Sequence, residues 1–291
     1  MTTLRPRRSV LYMPGSNARA LEKARSLPAD ALILDLEDAV APDGKDVARQ
    51  QVCDVVRARG FGKREVIVRI NALTTPWGEA DLSAVSEAQP DAILVPKIST
   101  PADLNDVEAR LVAYHHLRKM AVWAMVETPA AILNIAAIAA SGGRLACFVM
   151  GTNDLIKEIR GLHTPDRANL SAALSLSVLA ARANGLAAID GVYNDIADAD
   201  GFKASCEQAR AFGFDGKTLI HPSQVESCNA VFAPSAQDVA AARKLIAAFA
   251  QPENKGKGAI KLDGRMVELL HADIARGTVA MADAIAALES A

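Results

Sequence analysis

Two acids and an arginine stand where short apolar runs end. Glu127 follows the run 122–126, and Asp154 follows 147–150 after Gly151-Thr152-Asn153. A short apolar run is a buried parallel strand, and a charge at its carboxyl end belongs to a rim rather than to a core. Two carboxylates on adjacent strand ends, with room for water and substrate oxygens, suit an octahedral Mg2+ ion. Asp154 could equally cap the helix that follows it. Arg69 ends the run 66–68. Its planar fork can bind a carboxylate or steady an oxyanion, or it can pair structurally with Glu37 or Asp38, at the end of the run 31–34. Glu37 and Asp38 could orient Arg69, bind metal-bound waters, or both. Lys97, after Val95-Pro96, is a weaker case, since a lysine at a strand end is often only solvated. His221 lacks a serine or cysteine partner that would make a triad.

The elements that must position these residues alternate along the chain. Strands are expected at 9–13, 31–36, 65–70, 92–96, 121–126, 146–150, 187–190 and 216–220. Alanine-rich helical patterns lie between them, among others at 18–26, 45–59, 101–117, 130–140, 171–184 and 198–212. Eight strand–helix units without long linkers predict an α/β TIM (β/α)8 barrel over 1–233. Charged groups spread over many strand ends favour closure, because an open sheet concentrates its site at one switch point. A C-terminal helical extension, 234–291, follows. It comprises a helix over 235–250 capped by Ser235, a Gly/Lys/Asn/Pro loop, a short segment 259–262, the turn Asp263-Gly264 and a helix over 266–288. The extension is not needed to close a barrel and could cover the mouth of its own subunit or a neighbour's.

The chain has 291 residues and a formal net charge of −2, so it offers no general attraction for nucleic acid or anionic membranes. An anionic substrate needs local charge. The four cysteines, Cys53, Cys147, Cys206 and Cys228, show no CxxC spacing and read as reduced core thiols. No apolar run reaches the roughly 18 residues of a membrane span, so a cytoplasmic enzyme is expected. Pro14-Gly15-Ser16-Asn17 opens a helix bearing Arg19 and Lys23 one turn apart, a face that suits a polyphosphate. The P-loop and GxGxxG spacings are absent.

The segments 9–17 (SVLYMPGSN), 35–40 (DLEDAV), 68–71 (VRIN), 95–97 (VPK), 127–129 (ETP), 151–155 (GTNDL) and 220–225 (IHPSQV) together resemble the citrate lyase β-subunit-like group of the HpcH/HpaI aldolase superfamily. That group includes malyl-CoA and citramalyl-CoA lyases and malyl-CoA thioesterase. The resemblance spans nearly the whole chain in order. It implies a Mg2+ cofactor on Glu127 and Asp154, and Arg69 on the ketoacid or hydroxyacid oxygens. Tyr12, Arg19 and Lys23 would lie toward CoA. It also implies a homotrimer or hexamer, and a short 3-hydroxy-dicarboxyl-CoA thioester as substrate, cleaved at a C–C bond. Lyases of the group typically carry Gly-x-Met-(Ile/Val)-Asp in the extension. Here 263–270 reads DGRMVELL, and Glu268 stands at the aspartate's place. The extra methylene moves the carboxylate by about an ångström, enough to cost about 10²-fold at an unforgiving site. Alternatively, Glu268 could direct water at the thioester carbonyl, giving hydrolysis. A subunit that needs partner proteins, like a citrate lyase β subunit, is a further alternative.

Overall fold

The computed structural model describes residues 4–114 and 120–290. Eight strands, β1 (Ser9–Pro14), β2 (Ala31–Asp35), β3 (Glu65–Arg69), β4 (Ala92–Val95), β5 (Ala121–Val126), β6 (Leu145–Met150), β7 (Ala187–Asp190) and β8 (Gly216–Leu219), close in sequence order into an all-parallel barrel. The barrel expected from the alternation of elements is the barrel found.

Most strands are apolar through their middles because both of their faces are covered, and in β8 the buried Lys217 pairs with Asp190 of β7 at 2.6 Å. Ile33, Ile67, Leu94, Trp123, Met125 and Val149 fill the interior. The alternate residues Leu34, Val68, Ile93, Val95 and Phe148 pack in the layer beneath the helices. This period of two decides what reaches the mouth. Asp35 comes two residues after Ile33, and Arg69 two after Ile67, so both point inward at the carboxyl ends. They stand opposite each other in the β2–β3 register. Glu127 lies two beyond Met125 by the same count. All four cysteines are free and buried.

The helices follow the expected pattern with local breaks. The first runs Ala18–Lys23 and tightens into a 3-10 turn, and the 130–140 segment divides at Asn134 into Pro129–Leu133 and Ile135–Ala140. The helix expected over 101–117 spans Pro101–Ala113, and the expected residues 115–117 lie outside the described residues.

The chain separates into two compact units, Arg7–Phe232 and a smaller one made of residues 233–290 with residues 4–6. In the smaller unit, helix Ala236–Ala250 packs on helix Leu269–Glu289. Ser235 caps the first helix by accepting the N–H of Asp238 at 3.0 Å. One expectation is corrected here. Residues 266–268 are not helical but belong to β10 (Arg265–Glu268), which pairs antiparallel with β9 (Ala259–Leu262). The cause is the turn: Asp263 and Gly264 both adopt positive φ, 49° and 81°, which is the two-residue hairpin geometry that an Asp-Gly pair favours. Lys244 holds Asp263 at 2.7 Å. Among the described residues no helix is long and apolar enough to cross a membrane.

Candidate active site

A cavity of about 400 Å³ opens at the carboxyl ends of the strands, lined by Tyr12, Asp35, Asp38, Arg69, Met125, Asp154, Val192 and Thr218 among others. Arg69 dominates one wall, with its side chain only 8% exposed. Its Nε and Nη2 donate to the two oxygens of Asp35, both at 2.6 Å. Its Nη1 pairs with Glu37 at 2.8 Å and Asp38 at 3.0 Å. The guanidinium lies over the Tyr12 ring, 4.8 Å from the centroid. The structural pairing weighed for Arg69 is therefore present, with Asp35 added as its main partner.

Three carboxylates against one guanidinium leave negative charge in excess. Burial, followed among the raising influences by the charges of Asp38, Glu127 and Asp35, pushes the Glu37 carboxyl up to about 8 despite Arg69. Burial likewise lifts the Tyr12 hydroxyl well above its ordinary range, against the pull of Arg69. Lys45 holds the loop that carries Glu37. Its ammonium donates to the carbonyls of Leu36 and Glu37 and to Asn71, at 2.8, 2.8 and 2.7 Å.

On the opposite wall, Glu127 is 2% exposed and accepts the backbone N–H of Lys97 at 2.8 Å. The Lys97 ammonium sits between two acids, 2.6 Å from Asp154 Oδ1 and 3.6 Å from Glu127 Oε1. Burial raises the Glu127 carboxyl, and Asp154 adds to the rise, while Lys97 and Arg69 oppose it. Asp154 lies in the first turn of helix Thr152–Glu158, but the cap position is Gly151, without a side-chain cap bond. The carboxylate is directed at Lys97 instead. A Cβ on Gly151 would come within 2.4 Å of the Glu127 Cβ and 2.6 Å of its Oε2, so only glycine fits against Glu127 here.

The remaining candidates divide. Arg19 and Lys23 are exposed on helix Ala18–Lys23. His221 is exposed and opens a 3-10 turn, its Nδ1 accepting the N–H of Ser223 at 3.2 Å, which is the structural role expected of it. Glu268 belongs to the smaller unit, exposed at the end of β10, with its N–H donated to His271 Nδ1 at 3.0 Å.

Asp35 and Lys45 were not singled out in the sequence. Asp35 carried a usable signal, since it follows Ile33 on the inward face. Lys45, a lysine opening a helix, carried none. Among the described residues no group of three or more metal-ligating side chains is assembled. The arrangement offers two oxygen ligands with a cation already between them, which fits an ion that takes its other ligands from water and substrate.

Residues 8–222 match the HpcH/HpaI aldolase/citrate lyase family. A (3S)-malyl-CoA thioesterase of Cereibacter sphaeroides is 52% identical over 285 residues, 98% of each chain. The citrate lyase subunit beta of Escherichia coli is 34% identical, over 91% of this chain and 89% of its own. Among solved structures, CitE of Mycobacterium tuberculosis in complex with magnesium, acetoacetate and coenzyme A superposes with a TM-score of 0.78 at 30% identity, covering 96% of this chain and 100% of that one. A citrate lyase from Burkholderia xenovorans LB400, 20% identical, shares the fold with a TM-score of 0.85, over 97% of this chain and 93% of its own.

Proposed function

The chain belongs to the HpcH/HpaI aldolase/citrate lyase family, and we propose that it is a Mg2+-dependent thioesterase acting on a short 3-hydroxy-dicarboxyl-CoA thioester of the (3S)-malyl-CoA type. The observation that carries this is the facing pair of walls at the barrel mouth. Glu127 and Asp154, bridged by an ammonium, oppose an Arg69 fork fixed by Asp35. Similarity to a thioesterase along 98% of both chains supports hydrolysis as the outcome.

Glu127 and Asp154 would hold Mg2+. That the pair already accepts a cationic group supports the fit. When bound, the ion supplies electrophilic polarisation of substrate oxygens. Asp35 holds Nε and Nη2, so Arg69 would meet the substrate's hydroxyl or carboxylate oxygens through Nη1, where they would take the place of Glu37 or Asp38. Asp38 shares that Nη1 and helps to aim it. Arg19 and Lys23 would meet the CoA phosphates, whereas Tyr12, expected toward CoA, lies against the Arg69 guanidinium and is proposed to face the acyl side.

In the hydrolytic step a water oxygen attacks the thioester carbonyl carbon and gives up its proton. The C–S bond then breaks, and the departing thiolate takes a proton, leaving a free hydroxy-dicarboxylate and CoA. Glu37, whose carboxyl burial pushes up to about 8, is suited to accept and return the proton. Glu268 is proposed to direct the water, the role its place in the sequence suggests. A trimer or hexamer, implied by the resemblance, belongs to the same proposal.

C–C cleavage of the same ester is the second reading. It is favoured by similarity to a citrate lyase subunit, and by Arg69, which could steady the hydroxyl oxygen as it becomes a carbonyl. Incubation with Mg2+ and (3S)-malyl-CoA, following free thiol and glyoxylate in one sample, separates the two. Thiol without glyoxylate supports hydrolysis, glyoxylate with little thiol replaces it with the lyase, and neither product points to a different acyl group or a missing partner. Glu127→Ala and Asp154→Ala are expected to abolish Mg2+-dependent turnover with folding intact. Normal turnover in both would remove the metal assignment.

A further inference from the structure

The Lys97 ammonium lies between Glu127 and Asp154, and its attachment differs from that of the other cations at the mouth. Arg69 is locked by a two-bond fork, and Lys45 by three short hydrogen bonds. Lys97 reaches its acids by one 2.6 Å bond to Asp154 and one looser 3.6 Å pairing with Glu127, from a side chain that is 38% exposed. Its backbone is the fixed part. Lys97 adopts φ 58°, a left-handed conformation that side chains other than glycine's rarely take. Its N–H donates to Glu127 Oε1 at 2.8 Å. Strain of this kind persists only where the surroundings impose it, and it clusters at working sites. The result is an anchored backbone carrying a flexible ammonium with an open route to solvent.

We infer that Lys97 is an internal counter-cation of the metal seat: its ammonium occupies the space between Glu127 and Asp154, must withdraw before Mg2+ can bind there, and so sets the cation affinity of the site. The inference rests on the reading of Glu127 and Asp154 as the cation's ligands. The physics has two sides. Without a divalent ion, the two acids need a positive charge, because Glu127 is buried and unpaired buried carboxylates are costly. With the ion in place, an ammonium a few ångströms away repels it. The same side chain therefore stabilises the metal-free protein and opposes metal entry. A compact, flexible lysine can leave its seat, which a forked arginine held on two sides would do less readily.

The test is a calorimetric Mg2+ titration of the full chain, paired with thermal unfolding in EDTA, for the wild type, Lys97→Met and Lys97→Arg. Methionine keeps the length of the side chain and adds no new backbone strain. Lys97→Met is expected to bind Mg2+ about tenfold tighter, and to unfold at a lower temperature than the wild type in EDTA. Lys97→Arg keeps the charge and is expected to stay near or below wild-type affinity. If the methionine variant fails to fold, Lys97→Gln gives the same readout. Saturable binding in the wild type with equal or weaker binding in Lys97→Met would overturn the inference alone. No saturable binding to the wild type would remove the metal reading and the inference with it.

Discussion

Asp35 and Arg69 face each other in register across β2 and β3 and are joined by two parallel hydrogen bonds of 2.6 Å. The carboxylate does more than neutralise the guanidinium. Its oxygens also accept the N–H groups of Glu37 and Ala39 at 2.9 and 3.1 Å. One buried side chain therefore fixes both the fork and the loop that brings Glu37 and Asp38 to the same Nη1. A buried ion pair is weak evidence for stability in itself, but removing one partner strands the other.

Asp35→Ala is accordingly expected to destabilise the barrel by about 3–5 kcal/mol. Urea unfolding measures this. Asp35→Asn keeps the shape but turns an amide donor toward a guanidinium donor, so it is expected to fall between alanine and wild type. In both variants kcat/KM should drop, because Arg69 is no longer aimed. Wild-type stability in Asp35→Ala would mean that Glu37 and Asp38 alone hold Arg69.

Gly151 gives a cleaner local test. The Cβ of Gly151→Ala would fall 2.4 Å from the Glu127 Cβ, so Glu127 must shift out of its place beside Lys97 and Asp154. The change adds one methyl group and no charge. Mg2+ affinity is expected to weaken by about tenfold or more, while β6 and the helix after it keep their fold. An unchanged Mg2+ titration would separate Glu127 from the cation site.

Much of this was legible before any coordinates. Buried parallel strands announce themselves as continuous apolar runs, and Arg69, Glu37, Asp38, Glu127 and Asp154 stood out because each breaks such a run at its end. The pairing of those residues was less legible. Asp35 is harder to pick out, because three acids within the four residues 35–38 do not say which one faces inward, although the alternation from Ile33 does. Lys97 gives a weak signal, because exposed lysines at strand ends are common, and only the fold brings Asp154, 57 positions away, to its ammonium. The start of the last helix is hard to place from sequence, because Met266-Val267-Glu268 fits a helical period as well as a short strand. The positive φ of Asp263 and Gly264 decided the matter.

Glu37 makes the metal-free protein sensitive to pH in a definite direction. Its carboxyl titrates at about 8 in the fold, above the ordinary 4.5, mainly because it is buried. The folded state thus holds this proton more tightly than the unfolded chain. Its contribution is full below the ordinary carboxylate range and is lost as pH rises toward about 8. In EDTA, the unfolding temperature should fall across that window, and Glu37→Gln should flatten the fall. A fall of the same size in Glu37→Gln would assign it to other groups. Turnover in Glu37→Gln should drop in kcat if this carboxyl handles the proton.

Glu268 is the residue at which the two proposed outcomes, hydrolysis and C–C cleavage, can be told apart. It ends β10, exposed, at the start of helix Leu269–Glu289. Glu268→Gln keeps the volume and removes the acid–base function. If the carboxylate directs water or carries a proton, kcat should fall about 10²-fold or more with KM little changed. Glu268→Asp is the sharper experiment, because it restores the shorter acid found in typical lyases of the group. A carboxylate withdrawn by one methylene is less able to reach a water at the carbonyl, yet suited to protonating an enolate. The expected outcome is a shift in product ratio from free thiol toward glyoxylate on (3S)-malyl-CoA, read in one sample. A uniform loss of both products would make the residue general to either reaction. Wild-type rates in both variants, with helix content preserved by circular dichroism, would leave Glu268 a surface glutamate and give the water to Glu37.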